Sequence, residues 1–129
     1  MPKSMKDFVA DAKGRVDTVS PGTALQASKD SGDLILDVRE ASELESDGRI
    51  VGAVHIPRGL LEANADPDTG KGNDRLLNQR GADSRVHVLC ASGARATLAA
   101  DCLGQMGYNA TVIEGGLENW KKEDLPVQS

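Results

Sequence analysis

The sequence predicts an α/β domain built on a mainly parallel sheet with helices on both faces. Three observations predict it. Short apolar runs alternate with segments of helical periodicity along most of the 129 residues. The runs are continuous rather than polar at every second position, as in "LIL" at 34–36 and "VHVL" at 86–89, which suits strands buried on both faces. The intervening helices are crossovers, and right-handed crossovers place successive strands parallel. A chain of this length corresponds to one domain and buries a core without staples.

Met5, Phe8, Val9, Ala12 and Val16 fall at helical spacing, so residues 4–14 read as a short amphipathic helix. Residues 1–17 form an N-terminal segment packed on the outside of a domain spanning 18–129. Val16–Val19 is a short strand. Ser20 then caps a helix with Pro21 in its first turn, and Gly32 ends it. Leu34–Leu36 is the second strand, followed by a helix over 40–46. "GAVHIP", residues 52–57, is a strand stopped by Pro57. The polar stretch "NADPDTGKGND", 64–74, reads as a solvated loop. Its aspartates lack the closing glutamate of a calcium loop, and Gly70-Lys71 lacks the upstream glycine of a phosphate loop. A helix over 73–79 leads to a strand over 86–90. A helix over 94–106, a strand over 110–116 closed by Gly115-Gly116, and a helix over 117–123 anchored by Trp120 complete the chain. Sites on such sheets lie at the carboxyl ends of the strands. Asp37–Arg39, Cys90–Arg95 and Gly115-Gly116 are therefore expected to converge.

Composition narrows the function. Only Phe8, Tyr108 and Trp120 are aromatic, so the core consists of Val, Ile, Leu and Ala. A formal net charge of −5 argues against nucleic acid or an anionic membrane as partner, since both reward a basic surface. Two cysteines, Cys90 and Cys102, fit neither a disulfide framework nor a zinc cluster. Cys102 follows Leu98 and precedes Met106 at i, i+4, i+8 and reads as core. It sits about 11 Å along its helix at 1.5 Å per residue, too far for a disulfide with Cys90. No run of about 18 apolar residues is present, and the N-terminus lacks a secretion signal. A reducing cytoplasm is the expected setting, where a lone thiol is more often chemical than structural.

Cys90 closes its strand, and the small residues Ala91, Ser92, Gly93 and Ala94 lead to Arg95 and a helix. A tight bend there aims backbone N–H groups at the sulfur, with Gly93 taking the unusual dihedrals. The helix start adds its dipole and unpaired N–H groups, and Arg95 adds a full charge. Each favours thiolate over thiol, which makes an accessible Cys90 a nucleophile. The same cradle holds a negative group attached to the sulfur.

The pieces "LILDVREASELE", "GRIVGAVHIPRGLLE", "VLCASGAR", "LGQMGYNATVIEGGLENW" and the closing "LPV", in this order and spacing, resemble a single-domain rhodanese, a sulfurtransferase homology domain. The likeness runs from about Thr18 to Val127. It implies a rhodanese-like three-layer α/β/α fold with a five-stranded sheet and a persulfide-forming Cys90. It also implies a substrate cradle at Ala91, Ser92, Gly93, Ala94 and Arg95, and a supporting role for Asp37 and Arg39. The implied reaction moves a sulfane sulfur from thiosulfate, a persulfide or a polysulfide to a thiol or cyanide, with no metal or organic cofactor. Thiosulfate users of this family are often more basic in the loop, whereas residues 91 and 94 are alanine here. That shifts the expected donor towards persulfides and polysulfides. Cysteine-dependent phosphatases carry C-x5-R; this chain has C-x4-R, with Ala96 where their arginine stands, a smaller cradle that matches one sulfur atom better than a tetrahedral oxyanion. A phosphatase or arsenate reductase is thus disfavoured. A non-catalytic binding module on the same fold and a redox relay through Cys90 remain as alternatives.

Arg95 has two readings, a counter-charge for substrate or a partner for Glu40 or Glu43. Asp37 and Arg39 equally read as a brace. His87, three residues before Cys90 on a strand, faces away from it, and His55 reads as a packed, hydrogen-bonded side chain.

Overall fold

The computed structural model describes all 129 residues. Five strands, β1 (Asp17–Val19), β2 (Leu34–Asp37), β3 (Val54–His55), β4 (Val86–Leu89) and β5 (Ala110–Ile113), form one sheet. Its order is β1-β5-β4-β2-β3 and every pairing is parallel. Seven helices accompany it: α1 (Met5–Lys13), α2 (Pro21–Asp30), α3 (Ala41–Asp47), α4 (Leu61–Ala65), α5 (Asp74–Leu77), α6 (Ala94–Gln105) and α7 (Gly116–Lys122).

The helix starts follow from their capping residues. Ser4 and Asp7 form a reciprocal capping box at α1: the Asp7 N–H donates to Ser4 Oγ at 3.2 Å, and the Ser4 N–H to Asp7 Oδ2 at 2.9 Å. At α2 the Thr23 N–H donates to Ser20 Oγ at 3.2 Å, with Pro21 in the first turn, where its missing N–H costs nothing.

Alternation along each strand splits the core into two. Leu34, Leu36, Val86, Val88 and Val112 join the inner residues of α4, α5 and α6 on one face. Ile35, Leu89 and Ile113 join Ala24, Leu117 and Trp120 from α2 and α7 on the other. Each fully buried Leu, Ile or Val contributes about 1.5–3 kcal/mol of burial. Trp120 is wholly buried and donates Nε1–H to the Pro126 carbonyl at 3.0 Å. On α6 the inward residues Ala96, Ala99 and Ala100 are small, which brings the helix close to the strand ends. α1 packs on α6, burying Ala12 and clamping Arg15 to Asp101 through Nε and Nη2 at 2.8 and 2.9 Å.

Several expectations need correction. The strand expected over 52–57 shrinks to Val54–His55, because Gly52 has φ +86° and Pro57 lacks a ladder donor. The helix expected over 73–79 is a single turn, Asp74–Leu77. A 3-10 turn over Arg58–Leu60 and helix α4 have no counterpart among the expected elements. Helical spacing places Cys102 in the core. In the fold it is half-buried with Leu98, because the sheet takes the neighbouring stripe of α6, Ala96, Ala99, Ala100 and Leu103.

Candidate active site

Cys90 follows β4, the central strand. The chain leaves β2 towards β3 on one side and leaves β4, through α6, towards β5 on the other. The gap between β2 and β4 is thus a switch point, where open parallel sheets place their crevices. The carboxyl end of β2 supplies Asp37 and Arg39, and that of β5 supplies Gly115 and Gly116.

Two backbone N–H groups point at the sulfur. Gly93 N–H donates to Cys90 Sγ at 3.0 Å and Ala96 N–H at 3.3 Å. Gly93 has φ +124°, a conformation side-chain-bearing residues rarely adopt, so the bend depends on glycine there. The Gly93 carbonyl is turned away and accepts from Thr97 N and Thr97 Oγ1 at 2.9 and 2.8 Å. Helix α7 holds two further carbonyls of the loop. Leu117 N–H donates to Cys90 O at 2.8 Å and Glu118 N–H to Ala91 O at 3.2 Å. With carbonyls turned towards α7, the loop is free to present its amides to the sulfur, where they stabilise negative charge.

Gly116 makes this docking possible. Its φ is +58°, and a Cβ there would collide with the carbonyl oxygens of Cys90 and Ala91, the second at 2.6 Å. The sequence flagged Gly115-Gly116 as a tight turn near the loop. That the second glycine is the one pressed on the loop is a long-range fact that local sequence does not carry.

Arg95 takes the bracing position. Its Nη1 and Nη2 donate to Glu43 Oε1 and Oε2 at 2.7 and 2.9 Å, a two-point pair tying α6 to α3. The guanidinium holds the Glu43 carboxyl below its ordinary value. Arg95 is raised in turn, chiefly by Glu43, with a smaller pull from Cys90. Arg39 is wholly buried and directs Nε and Nη2 at Asp37, at 2.7 Å for the shortest contact, and Nη2 also at the Gly48 carbonyl at 2.9 Å. Its own carbonyl accepts from His55 Nε2 at 2.7 Å. These contacts knit the ends of β2, β3 and α3 together behind the loop. His87 lies between Thr111 Oγ1 and Asp33 Oδ2, at 2.6 and 2.8 Å, and contacts neither loop nor sulfur.

A nucleophilic role calls for an accessible thiol, yet Cys90 keeps 2% exposure. The thiol lies buried within hydrogen-bond reach of the Gly93 and Ala96 amides. Cavities of about 600 and 340 Å³ meet the loop from two sides. The larger reaches Ser92, Gly93 and Ala94, and the smaller Ala91, Ser92 and Arg39. The larger is walled in part by Val9, Lys13 and Val16, residues absent from the sequence-derived site. Helical periodicity marked α1 as amphipathic but could not say what its end would touch. The Cys102 thiol is pushed up by burial and by Glu62. No group of three or more His, Cys, Asp and Glu side chains is placed to hold a metal ion.

Residues 20–123 match the family model of the rhodanese-like domain. Among solved structures, the chain is similar to a Rhodopseudomonas palustris protein of unknown function described as a possible tyrosine phosphatase. Identity is 28% and the TM-score 0.88, over 99% of this chain and 96% of that one. It is similar to the homodimeric polysulfide-sulfur transferase of Wolinella succinogenes, at 29% identity and a TM-score of 0.72 over 95% and 85%. A rhodanese-related protein of Thermoplasma volcanium gives 28% and 0.66 over 86% and 96%.

Proposed function

The chain belongs to the rhodanese-like domain family, and from that premise we propose that it is a sulfurtransferase carrying sulfane sulfur as a persulfide on Cys90. The observation that carries the reading is the pair of N–H groups, from Gly93 and Ala96, directed at Sγ. They favour the anionic nucleophile at the start of the reaction and again when it is released.

The thiolate attacks the outer sulfur of the donor. A new S–S bond forms on Sγ, the donor's own S–S bond breaks, and its electron pair leaves with the departing group: sulfite from thiosulfate, a thiolate from a persulfide. Negative charge then sits on the terminal sulfur. Ala94 and Arg95, the first residues of α6, have N–H groups without intrahelical acceptors and are the nearest donors in sequence for that sulfur. An acceptor thiolate or cyanide attacks the terminal sulfur, and Cys90 leaves as thiolate. The covalent intermediate divides one transfer into two easier steps.

Arg95 is committed to Glu43 and Arg39 to Asp37, and residues 91 and 94 are alanine. The loop itself therefore carries no cation without an acidic partner. The unpaired lysines nearest it, Lys13 and Lys121, stand on the outer walls of the two cavities, and Arg39 keeps only its buried Nη1 without a hydrogen-bond partner. This arrangement supports a persulfide or polysulfide donor over thiosulfate. The similar Wolinella protein, a polysulfide-sulfur transferase by name, points the same way. The short C-x4-R register and the capture of Arg95 by Glu43 argue against phosphate chemistry. A reducing compartment such as the cytoplasm suits a thiol that must stay free.

The test is turnover. Protein mixed with polysulfide and cyanide forms thiocyanate catalytically, and Cys90→Ser abolishes it. Equal rates for the two proteins, or no turnover with any donor, reject the proposal; the second result favours a binding module.

A further inference from the structure

The cavity of about 600 Å³ beside the loop lies within the range of organic-ligand pockets, roughly 300–1,000 Å³, and is much larger than an inorganic sulfur anion needs. Its lining is uneven. Val9 and Val16 from the N-terminal segment and Val112 from β5 give it an apolar side, and Thr97 adds a hydroxyl. Two charged side chains complete it: Lys13 in the last turn of α1 and Glu114 just past β5. Both are exposed, and neither belongs to any ion pair of the structure. This differs from Arg95 and Arg39, whose charges are paired with Glu43 and Asp37, although the buried Arg39 Nη1 has no hydrogen-bond partner. A dianionic donor entering here gains from Lys13 and loses to Glu114. A ligand with one charge of each sign gains from both.

We infer that this cavity binds a zwitterionic, amino-acid-type thiol or its persulfide, with Lys13 meeting the carboxylate and Glu114 the ammonium group. The inference rests on the sulfur-transfer reading and names the substrate class for it. The bound thiolate attacks the terminal sulfur of the Cys90 persulfide, the Cys90–S bond breaks, and Cys90 departs as thiolate while the ligand leaves as an organic persulfide. The same site run in reverse loads Cys90 from that persulfide. Val9, Lys13 and Val16 precede the family-matched residues 20–123, so the carboxylate contact comes from a segment outside the matched region, while Glu114 lies within it.

The test uses full-length Cys90→Ser protein and three matched probes: L-cysteine, which carries both charges; N-acetyl-L-cysteine, which keeps only the carboxylate; and cysteamine, which keeps only the ammonium. Binding is read from backbone amide shifts at Val9, Thr97 and Gly115. L-cysteine is expected to bind tightest, by about two- to fivefold over either single-charge probe, the range of an exposed ion pair. Lys13→Glu weakens L-cysteine and N-acetyl-L-cysteine but spares cysteamine. Glu114→Lys weakens L-cysteine and cysteamine, and the double reversal restores L-cysteine. Both positions are exposed, so unchanged melting temperatures serve as the folding control. Equal binding of the three probes, shifts confined to other parts of the protein, or indifference to both reversals overturns the inference. Because the Cys90→Ser protein has no sulfur in its loop, that outcome is independent of whether wild-type Cys90 forms a persulfide.

Discussion

At Cys90 the chemistry depends on which backbone groups face the sulfur, and a residue without a side chain decides that. Gly116 lets α7 approach until its N–H groups hold the carbonyls of Cys90 and Ala91. Gly116→Ala must move the loop or α7 and also strains φ +58°. It is expected to cost about 1–3 kcal/mol and to suppress thiocyanate formation, while Gly32→Ala, strained in φ but open in space, loses stability and keeps turnover. Wild-type activity in Gly116→Ala would show that this contact does not shape the loop. The sequence revealed the nucleophile and Gly93 because strand end, bend and helix start are contiguous. It left Arg95 undecided between substrate and an acidic partner, since Glu43 is 52 positions away and only the packing of α3 against α6 chooses between them.

Among the elements, α3 and α6 are joined at the loop by the Glu43–Arg95 pair, whose side chains are 28% and 31% exposed. Arg95 holds Glu43 below its ordinary 4.5. The pair therefore contributes stability that is present above pH about 4.5 and is lost as pH falls through the lower folded-state value. Glu43→Gln is expected to be less stable at neutral pH by about 0.5–1 kcal/mol, given the partial exposure. The gap to wild type closes as pH falls below about 4.5, as read by thermal unfolding between pH 7 and about 3. A gap that does not change with pH would assign the cost to packing. The sequence made β2, β4 and α6 legible because their apolar patterns are long and contiguous. It overextended β3, where Gly52 and Pro57 leave two paired residues, and missed α4, whose five residues are too few for a helical period to stand out. The Leu98–Cys102–Met106 periodicity points one stripe away from the face of α6 that meets the sheet, because alanines carry little hydrophobic signal yet are the residues that fit there.

Across the whole molecule, the sheet order sets Cys90 at the switch between β2 and β4, and the surface carries a net charge of −5. With the nearby arginines paired, that charge repels a dianion at long range. Raising salt is expected to speed sulfur loading from thiosulfate and to leave alkylation of Cys90 by neutral iodoacetamide unchanged. Slower thiosulfate loading in salt would reveal a local positive field that the pairing of Arg39 and Arg95 does not suggest. Whether Cys90 holds the transferred sulfur is tested most directly by peptide-resolved mass spectrometry of the wild-type protein after polysulfide treatment. A gain of about 32 Da, one sulfur atom, on the peptide containing Cys90, removed by cyanide, is the predicted result; no gain there, or the same gain on the Cys102 peptide instead, would contradict it.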